Sequence, residues 1–190
     1  MYPDPNHSDG AAIIVLNSRQ DLRNIPDLKG KSLAVTSKNA FSSYHVPLGE
    51  IAARGYDPFK FFSSIKDTQE GVDSAEALNA LKNKEVDVAF LKHCTLEDYL
   101  TLHSAEKGLY RVIEPKNSVG ECARSTDLYP TWTLASTKSA SPEVSRLVTS
   151  AVLDMPKTKE GFVWGVSTDF SQTDELLKTL EIGPYEYCLL

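Results

Sequence analysis

Leu33–Gly55, LAVTSKNAFSSYHVPLGEIAARG, reads as strand, loop and helix. Leu33, Ala34 and Val35 form a short apolar run of the kind buried in parallel sheets, and Thr36 to Phe41 is a polar loop. Ser42 or Ser43 stands where a helix N-cap is preferred, Leu48, Ile51 and Ala52 share one helical face, and Gly55 supplies the stop. A helix that opens at the end of a parallel strand directs free backbone N–H groups, and the positive end of its dipole, into the space beyond the sheet. Such a start suits a small anion. An ordinary strand-to-helix turn is the alternative.

Upstream, Met1 to Gly10 reads as a mobile lead-in, and Ala11 to Leu16 (AAIIVL) as a continuous apolar strand. A connection with a short amphipathic turn around Ile25 to Leu28 leads into the opening stretch. Downstream, a turn at Asp57-Pro58 precedes Phe59, Phe61 and Phe62, three rings expected in the core. Asp73 is expected to cap a helix whose capping box is closed by Glu76, with Ala75, Leu78 and Leu81 at helical spacing and an end near Asn83-Lys84. Val86, Val88, Phe90 and Leu91 make a second buried strand. Strand alternating with helix predicts a parallel sheet with right-handed crossovers.

Thr95, with Asp98 or Glu97, looks like another helix start, so Lys92, His93 and Cys94 fall at a strand's C-terminal end beside a helix N-terminus. Ligands bind at that edge of open parallel sheets. A thiol near a helix start and a cation has a lowered pKa, which makes Cys94 a candidate reactive or redox-responsive cysteine; a buried, inert thiol is the alternative. His93 reads equally as a hydrogen-bonded loop histidine. Leu109 to Glu114 is a further strand, followed by a long polar loop that carries Cys122, Arg124, Ser125, Thr126 and Tyr129. TWTLAS (131–136) is expected to close that loop as a strand. Ser141-Pro142-Glu143 opens a helix with Val144, Leu147, Val148, Ala151 and Leu153 on its apolar side. KEGFVWGV (159–166) reads as a shorter helical piece, and a last helix runs from a cap at Ser171 to Gly183.

The 190-residue chain is long enough for one ordinary domain or two small lobes with a real core. A hydrophobic fraction of 41% and a charged fraction of 24% describe a folded chain. A net charge of −6 with no Lys/Arg-rich tract argues against non-specific nucleic-acid binding and against attraction to anionic lipid. No apolar run approaches the roughly 20 residues of a membrane span. The opening residues have neither a positive n-region nor an apolar h-region, so any export signal or anchor is expected outside this sequence. Three cysteines, Cys94, Cys122 and Cys188, allow one disulfide and one free thiol and fit no zinc spacing; no metal and no cofactor is expected.

The strand at Leu33 to Val35, the helix start SSYHVP, KNKEVDVAFL, LYPTW and a helical region after SPE follow one another as in the phosphonate-type substrate-binding proteins, which are periplasmic binding proteins of the second topological type. The resemblance spans about Ala11 to Tyr187. LKHCTLEDYL, ECARSTDLYPTW and the tail LEIGPYEYCLL resemble more closely the periplasmic sensor domains of tetrathionate-sensor-like histidine kinases. The resemblance implies an α/β fold of type 2 periplasmic-binding-protein character: one complete parallel or mixed-sheet lobe over 11–114, then a return segment and the C-terminal helices of an incomplete second lobe over 115–190.

By the same resemblance, the domain is non-catalytic and lies in the periplasm as part of an inner-membrane protein. It closes on a small, anionic solute and signals to a membrane-anchored kinase region of the same polypeptide. Asn39, Ser42, Ser43 and Tyr44 match the anion-contacting loop. Lys92, His93 and Cys94 match a strand end facing the cleft, and Ser125, Thr126, Tyr129 and Trp132 match the segment returning to the first lobe. Arg124 or Lys92 would supply counter-charge, and Cys94 with Cys122 is a possible redox pair. Ala40-Phe41-Ser42 stands where the family often has Ser-Thr-Ser, and Asp73-Ser74 where relatives place a pocket His, which argues against phosphonate itself as ligand. A phosphonate- or phosphite-type transporter subunit is the alternative in the same fold. A thiol enzyme using Cys94 beside His93 is the alternative from another class, and a structural interaction domain is the plainest one. Apolar faces on Val144 to Leu153 and on Leu176 to Ile182 would lack a partner in an incomplete lobe, which predicts a homodimer or element exchange.

Overall fold

Six consecutive apolar residues cannot form a half-solvated strand, so AAIIVL belongs in the middle of a sheet. The computed structural model, which describes residues 7–68, 75–116, 122–130, 132–158, 163–166 and 169–186, places it there. In chain order the strands are β1 (His7–Asp9), β2 (Ala11–Leu16), β3 (Ser32–Val35), β4 (Ser64–Asp67), β5 (Val88–Lys92), β6 (Tyr110–Val112) and β7 (Tyr129–Pro130). The helices are α1 (Val46–Ala52), α2 (Ala75–Lys82), α3 (Thr95–Leu102), α4 (Pro142–Leu153) and α5 (Ser171–Thr179). Five strands form the main sheet in the order β4-β3-β5-β2-β6, and β1 pairs with β7 in a separate two-stranded ladder.

The sheet is mixed. β3 runs parallel to β4 and β5, but β2 is antiparallel to both β5 and β6, which corrects the parallel sheet expected from strand–helix alternation and agrees with the mixed sheet the resemblance allows. A strand buried on both faces shows the same apolar run whichever way it points, so composition carries no information about its direction.

Period-two alternation divides the core between the two faces. Ile13, Val15, Leu33, Val35, Val88 and Phe90 face Leu48 and Ile51 of α1, the turn Ile25–Leu28, Phe61 and Phe62, and α5. Ala12, Ile14, Leu16, Ala34, Ala89 and Leu91 face α2 and α3. Phe61 and Phe62 are buried as expected, whereas Phe59 is half exposed. A Cβ on Gly49 would stand 2.3 Å from Leu176 Cδ1, so the missing side chain is what lets α5 lie against α1.

Several expectations are corrected. His7–Asp9, placed in a mobile lead-in, pair with Tyr129–Pro130. Residues 132–136 form no strand, and 163–166 are not helical; 131 and 159–162 lie outside the described residues, as does the cap expected at Asp73. Leu176 and Leu180 are buried in the main core instead of waiting for a partner; only the α4 side, with Val144, Leu147, Val148 and Leu153, stays exposed. Ser171 is the first helical residue, with Phe170 at the N-cap position, and the Asp169 carboxylate accepts from the Ser171 N–H at 2.9 Å and its hydroxyl at 2.6 Å.

At the N-terminal ends of β3 and β5, Arg19 donates to Asp87 at 2.5 Å, and Asp87 also accepts from the Ser32 N–H at 3.0 Å and hydroxyl at 2.8 Å. Burial opposes the charge on Asp87, but the hydrogen bonds from Arg19 and Ser32 outweigh it and hold the carboxyl below its ordinary range. A depressed carboxylate contributes stability that is present above its unfolded-state pKa, about 3.9, and is lost as pH falls through the folded value. Urea denaturation of wild type should therefore weaken in acid, below about pH 5. In Asp87→Asn, part of that acid dependence should be absent.

Candidate functional site

Because β3, β4, β5 and β6 run the same way and β2 opposes them, their C-terminal ends and the N-terminal end of β2 share one edge. Thr36 to Tyr44 follow β3 at that edge, Thr68 follows β4, and His93 and Cys94 follow β5. The segment Cys122 to Thr126 is laid across it. The Ser125 N–H donates to Ala11 O at 2.7 Å, Ala11 N–H to Thr126 Oγ1 at 2.9 Å and Ile13 N–H to Ser125 Oγ at 3.0 Å, while Ser125 Oγ donates to Ile113 O at 2.6 Å. β6 ends at Val112, and Ser125 takes up the β2 hydrogen-bonding positions that β6 leaves open. The hydroxyls of Ser125 and Thr126, both fully buried, are thus committed to backbone.

The first wall starts earlier than its sequence suggests. Phe41–His45 winds as a π-helical turn, with His45 N–H donating to Ala40 O at 3.2 Å, and runs directly into α1. Ala40 occupies the N-cap position without a side-chain cap, which corrects the cap expected at Ser42 or Ser43. Phe41 explains the early start: its ring packs edge-on against Tyr129, centroids 5.7 Å apart, and against the core. Ser43, now one turn in, is buried and shares a 2.8 Å hydrogen bond with Thr36 Oγ1. Asn39 is exposed, its N–H donating to Ser37 Oγ at 3.1 Å, and Ser42 is half-buried. The Tyr44 phenol is buried, and its pKa is pushed up by burial and then by Asp67. π-helical turns are rare and concentrate at functional sites.

On the second wall Lys92 pairs with Asp9 at 2.7 Å. Cys94 is the N-cap of α3, at φ 68° in the left-handed region and without a side-chain cap, and the helix starts at Thr95 as expected. Its sulfur is bridged to Cys122, with Cα atoms 4.9 Å apart. Glu97, in the first turn of α3, accepts from the Ala123 N–H at 2.8 Å. His93 is held below its ordinary pKa by burial first and then by the charges of Lys92 and Arg124. With its sulfur in the bridge, Cys94 is no nucleophile, and the thiol-enzyme alternative loses its attacking group.

Tyr129 packs against Phe41 of the first wall, its phenol pushed up to about 12 by burial and then by Glu50 and Asp127. Trp132, expected there as an apolar wall, is 86% exposed. Arg54 ties Glu50 at 3.1 Å to Glu114 at 2.5 Å, and Lys116 reaches Glu50 at 2.7 Å, so the start of the return segment is fastened to α1. Sequence reasoning missed Ser37, Thr36 and Asp67 as loop supports, although a polar run after a buried strand signals such supports. It also missed the reach of Glu97 across to the return segment, for which sequence carries no signal.

A mixed five-stranded sheet with helices on both faces and its loops gathered at one edge is the lobe of a type 2 periplasmic binding protein. The profile of the family described as ABC transporter, phosphonate, periplasmic substrate-binding protein matches residues 3–185, and the chain belongs to that family. It is similar to the tetrathionate sensor histidine kinase TtrS of Salmonella typhimurium, 24% identical over 175 residues, covering 92% of this chain and 29% of that protein. A Xanthomonas citri protein solved bound to ATP has a TM-score of 0.54 at 14% identity, over 90% of this chain and 56% of that one. A binding protein component of a phosphonate ABC transporter from Pseudomonas aeruginosa has a TM-score of 0.49 at 19% identity, over 93% of this chain and 51% of that one. The chain thus spans less than a third of the kinase and about half of the two solved proteins. Among the described residues no helix is long and apolar enough to cross a membrane.

Proposed function

We propose that this chain is the periplasmic solute-sensing part of a sensor histidine kinase and that its solute is a small anion held at the sheet edge. The observation that carries the reading is the placement of Lys92, His93 and Arg124 on one wall and the serine-bearing helix start Asn39 to Tyr44 on the other, at one edge of one sheet. Ser42 and the amides that open the Phe41–His45 turn would receive the anionic group, Lys92 and Arg124 would balance its charge, and Tyr129 would cover its apolar side. In this reading residues 11–114 make up most of one lobe, to which Ser125, Thr126, Leu176 and Leu180 of the later chain also belong. Binding energy that favours the closed arrangement over the open one is the signal passed to the kinase region. The similarity to TtrS supports a sensor, and the family description supports the second reading, a transporter's binding protein.

A thermal-shift panel of sulfate, thiosulfate, methylphosphonate and succinate tests the site. A ligand at about 100 times its Kd stabilises by about 2.7 kcal/mol, enough to move the midpoint by several degrees. One member of the panel should do so, and Lys92→Ala should reduce the shift. A flat response from folded protein to every member would refute the anion site.

A further inference from the structure

We propose that the Cys94–Cys122 disulfide is a redox gate on the sheet-edge site: oxidised, it fixes the α3 start and residues 122–124 as one wall, and its reduction by a dithiol releases that wall and weakens anion binding while the lobe stays folded. The inference rests on the site reading above and adds its regulation.

The bridge joins segments 28 residues apart, and both ends lie on the edge where the candidate contacts gather. Cys94 holds a left-handed backbone conformation at φ 68° with no side-chain cap. A residue with a Cβ keeps such a conformation only where its surroundings impose it. Beside it, His93 Nδ1 and Glu97 Oε2 are buried without hydrogen-bond partners among the described residues. The charged groups facing the His93 ring are Lys92, Arg124, Asp9 and Glu97. The strip from Cys122 to Arg124 lies against both His93 and Glu97: the Ala123 N–H donates to the other carboxylate oxygen of Glu97, and the Arg124 charge acts on the His93 ring. Besides the sulfurs, the Ala123–Glu97 hydrogen bond spans the same gap.

The release is local. Ser125 and Thr126 are fastened to Ala11, Ile13 and Ile113 by bonds that do not involve sulfur, and Arg54 and Lys116 hold the start of the return segment to α1 and its Glu50. Cys94 and Cys122 are both partly exposed and so open to attack. A dithiol's thiolate attacks one cysteine sulfur, the S–S bond breaks to give a mixed disulfide, and the dithiol's second sulfur closes a cyclic disulfide. Two electrons and two protons pass to Cys94 and Cys122, which leave as thiols. A freed wall must be reordered on each binding event, and that cost is subtracted from affinity.

The test compares the oxidised chain with the chain reduced by dithiothreitol and with the Cys94→Ser/Cys122→Ser variant. It reads the His93 ring by NMR titration and the affinity for sulfate, methylphosphonate and succinate by calorimetry. The expected result is a His93 midpoint that moves up toward its ordinary value on reduction, with far-UV circular dichroism unchanged, and a loss of about tenfold or more in affinity for whichever probe binds the oxidised form. A His93 midpoint that stays in place overturns the gate, as does equal affinity in both states or global unfolding on reduction. If the oxidised chain binds no probe, the site reading fails, and the His93 titration alone decides whether the bridge controls the wall.

Discussion

Phe90→Ala should destabilise the fold by about 3–5 kcal/mol, read as a lower urea midpoint at unchanged slope. Phe90 is fully buried in β5, flanked by Val35 on one side and Ile13 on the other. Its ring meets Phe62 edge-on at 5.5 Å, Phe62 meets Phe61 at 5.1 Å, and Phe61 meets Tyr56 at 5.2 Å. Removing one member of such a chain loses its transfer energy and leaves a cavity that the rigid sheet closes only in part. The loss should also reach the site, since β5 ends in the Lys92–Cys94 wall. Phe59→Ala is the control: with its ring half in solvent, it should stay within about 0.5 kcal/mol of wild type. Equal losses from the two substitutions would contradict the core described here.

The second large effect is expected at Ser125. In Ser125→Ala the Ile13 N–H and the Ile113 carbonyl lose the hydroxyl that serves both. Ser125 is fully buried, and leaving buried backbone groups unpaired costs about 1–3 kcal/mol each, so a loss of about 2–6 kcal/mol is expected for the two. Thr126→Val keeps the shape and removes the acceptor for the buried Ala11 N–H together with the donor to the Asp127 carbonyl of its exposed neighbour, so it should cost about 1–3 kcal/mol, most of it from Ala11. Chemical denaturation of both variants checks the ranking, which a ligand-contact role for these hydroxyls would not produce. A Ser125→Ala protein as stable as wild type would return that hydroxyl to the list of candidate ligand contacts.

The burial of these strands follows from composition. AAIIVL and VAFL are uninterrupted apolar runs, and each ends where a polar residue begins, which is why Lys92, His93 and Cys94 could be assigned to a strand end from sequence. The direction of β2 could not, because a strand covered on both faces has no pattern that distinguishes its neighbours' orientation. The first turn of the helix after β3 was misplaced for a different reason: N-cap preference favours Ser42 or Ser43, but the packing of Phe41 on Tyr129 outweighs a cap contribution of about 1 kcal/mol and draws the helix back to Ala40. Glu97 and Ala123 meet only because the return segment crosses α3, a tertiary fact with no local trace. The same holds for the 4.9 Å separation of Cys94 and Cys122. The resemblance to the phosphonate-binding family supplied what pattern could not, the gathering of distant loops at one edge.

Isothermal titration of the oxidised chain with sulfate, thiosulfate, methylphosphonate and succinate decides whether the sheet edge holds an anion. Saturable 1:1 binding of at least one of these anions is expected, weakened at least tenfold, about 1.4 kcal/mol, by Lys92→Ala or Ser42→Ala in variants that keep the wild-type circular dichroism. No heat of binding from a folded chain for any of the four, or binding that both substitutions leave unchanged, would contradict the anion site.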